Sequence, residues 1–191
     1  MDDESLILVV DLEATCWQDK IISPGRPQTV DEMEIIEFGC VLAQTDGTVM
    51  DSRSFMVRPV KHPALSSFCT ELTTITQQDV DDAPTYLEAI EQIDGWLANY
   101  NLTAWGSWGN YDRKQLDAER LRYGWSPIFA KSPHLNLKQM WRKGRANSRS
   151  SGLQNALKFH NLPFVGTEHR GIDDAINIAK LLPFIDFETV E

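Results

Sequence analysis

Acidic side chains in three separate parts of the chain have the types and spacing needed to bind divalent cations. They are Asp11 and Glu13 in DLEATC, Asp112 in GSWGNYD, and Asp174 in HRGIDD, where His169 lies five positions earlier. Carboxylate oxygens are the ligands that Mg²⁺ and Mn²⁺ prefer. Two such ions about 4 Å apart can hold the attacking and leaving oxygens of a phosphoryl displacement. A histidine, which titrates near neutrality, can accept the proton of the attacking water. Together these residues indicate metal-dependent hydrolysis of a phosphoester.

Each of these residues also has an ordinary structural explanation when it is taken alone. Asp11 and Glu13 can face water in a turn at a strand end. Asp112 near a helix start is favoured by the helix macrodipole. His169 lies in a loop beside Gly171, where most histidines have no catalytic role. Only the combination of these residues indicates metal-dependent hydrolysis.

The spacing of the third cluster separates its two neighbouring acids. On a helix over 172–182, Asp174 aligns with the apolar residue Ile178, whereas Asp173 aligns with the polar residue Asn177. We therefore expect Asp174 to point into the protein, where it needs a partner that a metal ion would supply. Asp173 is expected to be solvated or to be a first-turn acid.

The elements that must position these residues follow a mixed pattern of strands and helices. The apolar run 6–11 predicts a central strand covered on both faces. Residues 34–44 and 48–58 predict two strands, which the turn Thr45-Asp46-Gly47 joins as an antiparallel hairpin. Such a chain indicates an α/β domain with a mixed sheet, whose ligands bind at the carboxyl ends of the strands. The remaining expectations are a loop at 18–33, irregular structure at 59–83, helices at 85–98, 110–122, 152–160 and 172–182, and strands at 102–106 and 134–137.

Length and composition favour one globular domain over residues 1–191. The apolar content of 42% and the charged content of 24% are ordinary for a globular protein. The first apolar run is too short to span a membrane and lacks the basic flank of a signal peptide. The three cysteines show no CxxC spacing, so neither a disulfide framework nor a zinc site is indicated. We therefore expect a cytoplasmic protein without a membrane partner.

The charge of the chain is unevenly distributed. The net charge of −10 argues against a nucleic-acid partner, yet no Asp or Glu occurs from Arg120 to Thr167. A solvated basic face without a ligand remains the alternative. This basic stretch holds nine of the eighteen Lys and Arg residues, namely Arg120, Arg122, Lys131, Lys138, Arg142, Lys143, Arg145, Arg149 and Lys158.

On the three acidic motifs, the chain resembles the DEDDh 3′→5′ exonucleases, whose fold is similar to ribonuclease H. The resemblance covers nearly the whole sequence. It implies a single DEDDh exonuclease domain with a mixed five-stranded sheet and helices on both faces. By the same match, Asp11, Glu13, Asp112 and Asp174 bind two Mg²⁺ or Mn²⁺ ions, and His169 is the general base.

Further segments resemble the Eri-type branch of that family, which acts on RNA 3′ ends and includes bacterial relatives of the sporulation-inhibitor type. These segments are EIIEFG, LSSFCTELTTITQQDV and H-x-G-x-D-D-x-x-N-I-A. By position, Phe68 and Tyr111 are expected to stack on or flank the terminal base, although Phe68 equally fits a core aromatic. Thr15 is expected near the terminal sugar. Arg142 and Arg145 of the basic stretch are expected to contact the backbone of the incoming strand.

The expected reaction is hydrolysis of the terminal phosphodiester at a free 3′ end of single-stranded nucleic acid, with RNA favoured, releasing a nucleoside 5′-monophosphate. DNA trimming or proofreading remains open, because sugar discrimination rests on contacts to the 2′-hydroxyl. A non-catalytic regulator that kept the fold predicts at least one lost ligand, whereas all four acids and the histidine are present. Hydrolysis of small phosphoesters would not need the basic stretch. The oligomeric state is not predicted.

Overall fold

The computed structural model describes residues 5–143, 145 and 152–187. Its strands are β1 (Leu6–Ala14), β2 (Ile21–Ser23), β3 (Arg26–Pro27), β4 (Ile35–Gln44), β5 (Val49–Met56), β6 (Leu102–Ser107) and β7 (His134–Asn136). Its helices are α1 (Ser67–Thr73), α2 (Gln77–Asp81), α3 (Tyr86–Leu97), α4 (Tyr111–Tyr123), α5 (Leu137–Arg142), α6 (Leu153–Phe159) and α7 (Gly171–Ala179).

The main sheet has five strands in the order β5-β4-β1-β6-β7. Strand β1 pairs antiparallel with β4 on one side and parallel with β6 on the other. It is therefore central, as its continuous apolar run predicts. Strands β4 and β5 form the predicted hairpin, and Gly47 in its turn has a φ of +87°, a conformation that favours glycine.

Helices cover both faces of the sheet because alternate residues of β1 belong to two different cores. Leu8, Val10 and Leu12 pack in a core with residues of α3 and α4. Ile7 and Val9 pack in the other core, with residues of α5, α6 and α7. The predicted α/β fold, with a mixed five-stranded sheet and helices on both faces, is confirmed.

Two predicted segments differ in the structure. Strand β1 continues to Ala14, beyond the predicted end at residue 11, so both acids of the first motif lie within it. Residues 59–83, predicted to be irregular, contain α1 and α2. These helices are too short to show a helical period. Side-chain caps begin them instead: Ser66 caps α1, and Thr76 forms a capping box with Asp79 at α2.

Other differences also concern short elements. The predicted loop 18–33 contains the small hairpin β2–β3, and α5 directly follows β7. The helix predicted over 172–182 ends at Ala179, because the amide of Leu181 bonds the carbonyl of Ile178, three residues back, instead of continuing the helical pattern. Across the part of the chain that the structure describes, no helix is both long and apolar enough to cross a membrane.

Candidate active site

The end of β1 carries the first two acids, and the alternation of the strand directs both to one face. Asp11 and Glu13 continue the series of Ile7 and Val9, which pack in the core under α7. The pairing register with β4 shifts between Glu13 and Ala14. Such a β-bulge is over-represented next to active sites, where it re-aims side chains.

Asp112 reaches the same strand end from the first turn of α4. Its carboxylate oxygen Oδ1 accepts a hydrogen bond of 3.0 Å from the amide of Leu12, the residue between Asp11 and Glu13. The Asp112 side chain is buried. The acid of the second motif is therefore held by the backbone that carries the first.

Asp174 comes from α7, whose first turn packs backbone against backbone on the sheet. A Cβ atom on Gly171 would lie 2.9 Å from the carbonyl oxygen of Asp11. A Cβ atom on Gly39 of β4 would lie only 1.9 Å from the carbonyl carbon of Gly171. Because no side chain fits between them, the two glycines allow α7 to begin directly over β1 and β4.

His169 lies just before α7 and has a φ of +60°, which is uncommon for a residue with a side chain. Its amide donates a hydrogen bond of 3.1 Å to Oδ2 of Asp174. Glu13, His169 and Asp174 each offer a ligand atom, and these atoms lie within 4.8 Å of one another. The structure thus brings the residues of the first and third motifs together.

Burial raises the pKa of all four acids, and neighbouring acids of the site raise the pKa values of Asp11 and Glu13 further. Burial, together with the charges of Asp112, Glu13 and Asp174, raises the pKa of Asp11 well above its usual value. Burial and the charge of Asp174 raise the pKa of Glu13 to about 9. Burial raises the pKa values of Asp112 and Asp174 to about 6. Positive charge nearby would favour the ionised forms of these acids, and their oxygen donors fit hard divalent cations.

The side of α7 that was expected to be polar is covered by the preceding loop. Asn177 is buried, and its amide group bonds both the N–H and the carbonyl of Val165. Asp173 accepts a hydrogen bond of 2.8 Å from the amide of Thr167. Of the two expectations for Asp173, the first-turn acid is the one that applies.

A cavity of about 620 Å³ opens beside Glu13. Three aromatic side chains line it: Trp17, Phe68 and Tyr111. Its size is that of a small-molecule site, and its mixture of aromatic and polar walls suits a nucleotide. Trp17 and the neighbouring Lys20 were not predicted as site residues, because an irregular segment has no periodicity that shows which way its side chains point.

Phe68 and Thr15, which are both expected to bind substrate, lie in different surroundings. Phe68 lines the cavity and also packs against a small core under α1. Its stacking on the terminal base remains a prediction. Thr15 is buried, and its amide and hydroxyl bond the backbone carbonyl and amide of Glu34 at 2.8 and 3.0 Å. A contact of Thr15 with the terminal sugar remains a prediction.

The two arginines expected to contact the strand lie at and beyond the end of α5. Arg142 is exposed. Arg145 donates to the carbonyls of Trp141 and Phe184 and lies over the Trp141 ring, so it also connects the segment around Phe184 to α5. Arg149 lies outside the described residues.

The fold and the clustered acids define a class of protein, the metal-dependent nucleases with a mixed α/β fold. Comparison with protein families agrees, because the model of the RNase T exonuclease family matches residues 8–182. The chain belongs to this exonuclease family.

Similar proteins also point to an exonuclease. The chain is 31% identical to ERI1 exoribonuclease 2 of Xenopus laevis, covering 92% of this chain and 27% of that protein. It is 32% identical to ERI1 exoribonuclease 3 of Homo sapiens, covering 92% of this chain and 52% of that protein. It therefore spans between about a quarter and a half of these relatives' length.

A solved structure also resembles the chain closely. The nuclease domain of 3′hExo, a DEDDh family member bound to rAMP, is 30% identical with a TM-score of 0.81, covering 94% of this chain and 90% of that one. The predicted membership of the DEDDh exonucleases is confirmed. The narrower bacterial branch stays a prediction.

Proposed function

We propose that this protein is a metal-dependent 3′→5′ exonuclease that releases nucleoside 5′-monophosphates from single-stranded RNA. The observation that carries the proposal is the convergence of Glu13, His169 and Asp174 within 4.8 Å, beside a cavity of nucleotide size. Family membership supports the reaction. The exoribonuclease relatives and the rAMP bound to 3′hExo support RNA over DNA.

In this proposal Asp11, Glu13, Asp112 and Asp174 would hold two Mg²⁺ or Mn²⁺ ions, which would supply charge neutralisation at the attacking and leaving oxygens. The four carboxylates have the oxygen donors and the accumulated negative charge that such ions need. His169 is exposed in the loop beside Glu13 and Asp174, where its imidazole accepts the proton of the attacking water. The bond from its amide to Asp174 keeps that base close to the acids.

The terminal nucleotide is proposed to occupy the cavity beside Glu13. The rings of Trp17, Phe68 and Tyr111 offer faces or edges to its base. Stacking on aromatic rings tolerates every base, as an enzyme that shortens a mixed sequence requires. Arg142, the last residue of α5, and Arg145 beyond it are proposed to contact the upstream backbone.

The test is a time course on 5′-labelled single-stranded RNA with Mg²⁺ or Mn²⁺, with an EDTA control. Asp174→Asn and Asp173→Asn form a matched pair, because the two acids are neighbours and only Asp174 belongs to the proposed metal site. We expect a ladder that shortens from the 3′ end and is absent with EDTA. Asp174→Asn should lower kcat on the order of a hundredfold, since ion-assisted charge stabilisation is worth several kcal/mol.

Asp173→Asn should keep most of the activity, because an amide oxygen can still accept the bond from Thr167. The same time course on single-stranded DNA decides the substrate. Shortening of DNA but not RNA would show that the RNA assignment is wrong. If neither RNA nor DNA is shortened, the result would contradict the proposed reaction and favour a non-catalytic regulator that kept the fold.

A further inference from the structure

Glu37 is a further buried acid beside the site. It is fully buried on β4 and lies directly opposite Glu13 in the pairing with β1. Like charges that face each other across two strands are destabilising, so a carboxylate here needs compensating partners. The sequence analysis treated residues 34–44 only as a strand and assigned this acid no role.

The partners of Glu37 lie at the beginning of α7 and on β5. Its Oε2 accepts hydrogen bonds from the amide of Gly171 at 2.9 Å and from Nε of Arg170 at 3.2 Å. Its Oε1 accepts from the hydroxyl of Ser54 at 2.7 Å and from the amide of Ile172 at 3.4 Å. The amides of Gly171 and Ile172 are the first two of the helix, which have no partner within it. Glu37 therefore caps α7 and also neutralises Arg170.

The turn that Glu37 holds is the one that orients the third motif. His169 lies two residues before Gly171, and Asp174 lies three residues after it. A small rotation of this turn would move both side chains relative to Glu13, from which their ligand atoms are less than 5 Å away. Each of the two carboxylate oxygens of Glu37 already accepts two hydrogen bonds. Glu37 is therefore suited to hold the helix rather than to bind an ion.

We propose that Glu37, with Arg170 and Ser54 as its partners, is a positioning residue that fixes the first turn of α7 so that Asp174 and His169 face Glu13. This proposal rests on the proposed function, because it assigns Glu37 to the same site. Partners that orient metal ligands typically change metal affinity or activity by about 10- to 100-fold when they are mutated.

The chain offers a matched control just before the strand that carries Glu37. Glu34, just before β4, is also buried, and it accepts bonds of 2.7 to 2.9 Å from the amides of Val60, Lys61 and His62. Glu34→Gln thus removes a buried carboxylate that bonds backbone amides, but it leaves α7 untouched. The Glu34→Gln variant therefore shows what a loss of stability alone does to Mn²⁺ binding and kcat.

The experiment measures Mn²⁺ binding to the metal-free protein by calorimetry, without RNA, and separately kcat and KM on short single-stranded RNA. All proteins are compared at a temperature where each is fully folded. We expect Glu37→Gln to weaken Mn²⁺ binding and to lower kcat, each about tenfold or more, with little change in KM. Glu34→Gln should lower Tm to a similar extent and keep the Mn²⁺ affinity within about twofold.

Ser54→Ala separates positioning from charge, because it removes one donor to Glu37 and leaves every charge in place. Ser54 is exposed on β5, so this variant also serves if Glu37→Gln does not fold. We expect it to lower kcat about threefold or more, which corresponds to the loss of at least one ordinary hydrogen bond. Wild-type kcat and Mn²⁺ affinity in Ser54→Ala, or in a folded Glu37→Gln, would overturn the proposal.

A loss confined to Glu37→Gln would also overturn it, because the effect would then come from charge alone. Failure of the wild-type protein to shorten RNA would contradict the proposed function instead. The two failures are distinguishable, because Mn²⁺ binding is measured without RNA.

Discussion

At the scale of single residues, contacts with the backbone place the acids of the site. Asp11 and Glu13 are directed by strand alternation, and Asp112 is bonded to the amide of Leu12 between them. Burial raises the pKa of all four carboxylates, and the charges of neighbouring acids add to the shifts of Asp11 and Glu13. A group arranged in this way opposes folding when it is ionised and favours the binding of cations.

We expect the metal-free protein to lose stability as the pH rises through neutrality. The pKa of Glu13 is raised from 4.5 to about 9, so between these values the folded state binds more protons than the unfolded state. The free energy of unfolding then falls by up to about 1.4 kcal/mol per pH unit for this one group. Urea unfolding in EDTA at pH 7 and pH 8 measures the decrease.

Glu13→Gln is the control for this pH dependence, because an amide does not titrate. Its free energy of unfolding should fall less between pH 7 and pH 8. Saturating Mn²⁺ should also reduce the decrease in the wild-type protein, since the ion stabilises the ionised acids. A wild-type stability that rises with pH over this interval would contradict the expectation.

At the scale of elements, the docking of α7 decides whether the site is assembled. This helix has nine residues, so it contributes little stability by itself and depends on tertiary packing. Its first turn is held by the capping carboxylate of Glu37 and by the close approach of Gly39 to Gly171. The same contacts therefore maintain the fold and the position of Asp174.

We expect Gly39→Ala to displace α7. The added Cβ would lie 1.9 Å from the carbonyl carbon of Gly171, so the backbone of one element must move. Overpacking of this kind costs about 1–3 kcal/mol, and the movement should also weaken Mn²⁺ binding. Thermal unfolding and calorimetry on the metal-free protein measure the two effects.

Gly95→Ala in α3 is the matched control. Its Cβ would meet no atom within 4 Å, so it should stabilise the helix by up to about 1 kcal/mol and leave Mn²⁺ binding unchanged. Equal stability and equal Mn²⁺ affinity in wild type and Gly39→Ala would show that α7 does not need the close contact.

At the scale of the whole molecule, charge is the feature that bears on substrate capture. The net charge of −10 repels nucleic acid at long range, so local basic residues must hold the backbone. Arg145 is committed to the carbonyls of Trp141 and Phe184, which makes its charge reversal a test of folding as much as of binding. Arg142 is exposed at the end of α5, and its charge reversal probes the predicted contact with the substrate.

We expect Arg142→Glu to raise KM for single-stranded RNA while kcat stays within about twofold of wild type. If Arg142 contacts one phosphate, the slope of log KM against log salt concentration should fall by about 0.7. Arg53→Glu is the control, because Arg53 lies on β5 at the opposite edge of the sheet from β7 and α5. An unchanged KM in Arg142→Glu, or an equal rise of KM in both variants, would show that Arg142 does not contact the substrate.

The sequence by itself determined the central strand, the hairpin, the helices that carry Asp112 and Asp174, and membership of the exonuclease family. These features are visible because hydrophobic periodicity and motif spacing are local properties of a chain. The short helices α1 and α2 were missed for the same reason, since caps rather than periodicity begin them.

Only the tertiary structure decided which other residues serve the site. Glu37 bonds the amide of Gly171 across 134 positions of sequence. Trp17 enters the cavity wall from an irregular segment, and Thr15 turns its hydroxyl to the backbone of Glu34. Each of these contacts depends on the packing of elements that are distant along the chain, and packing of that kind leaves no periodic signal in the sequence.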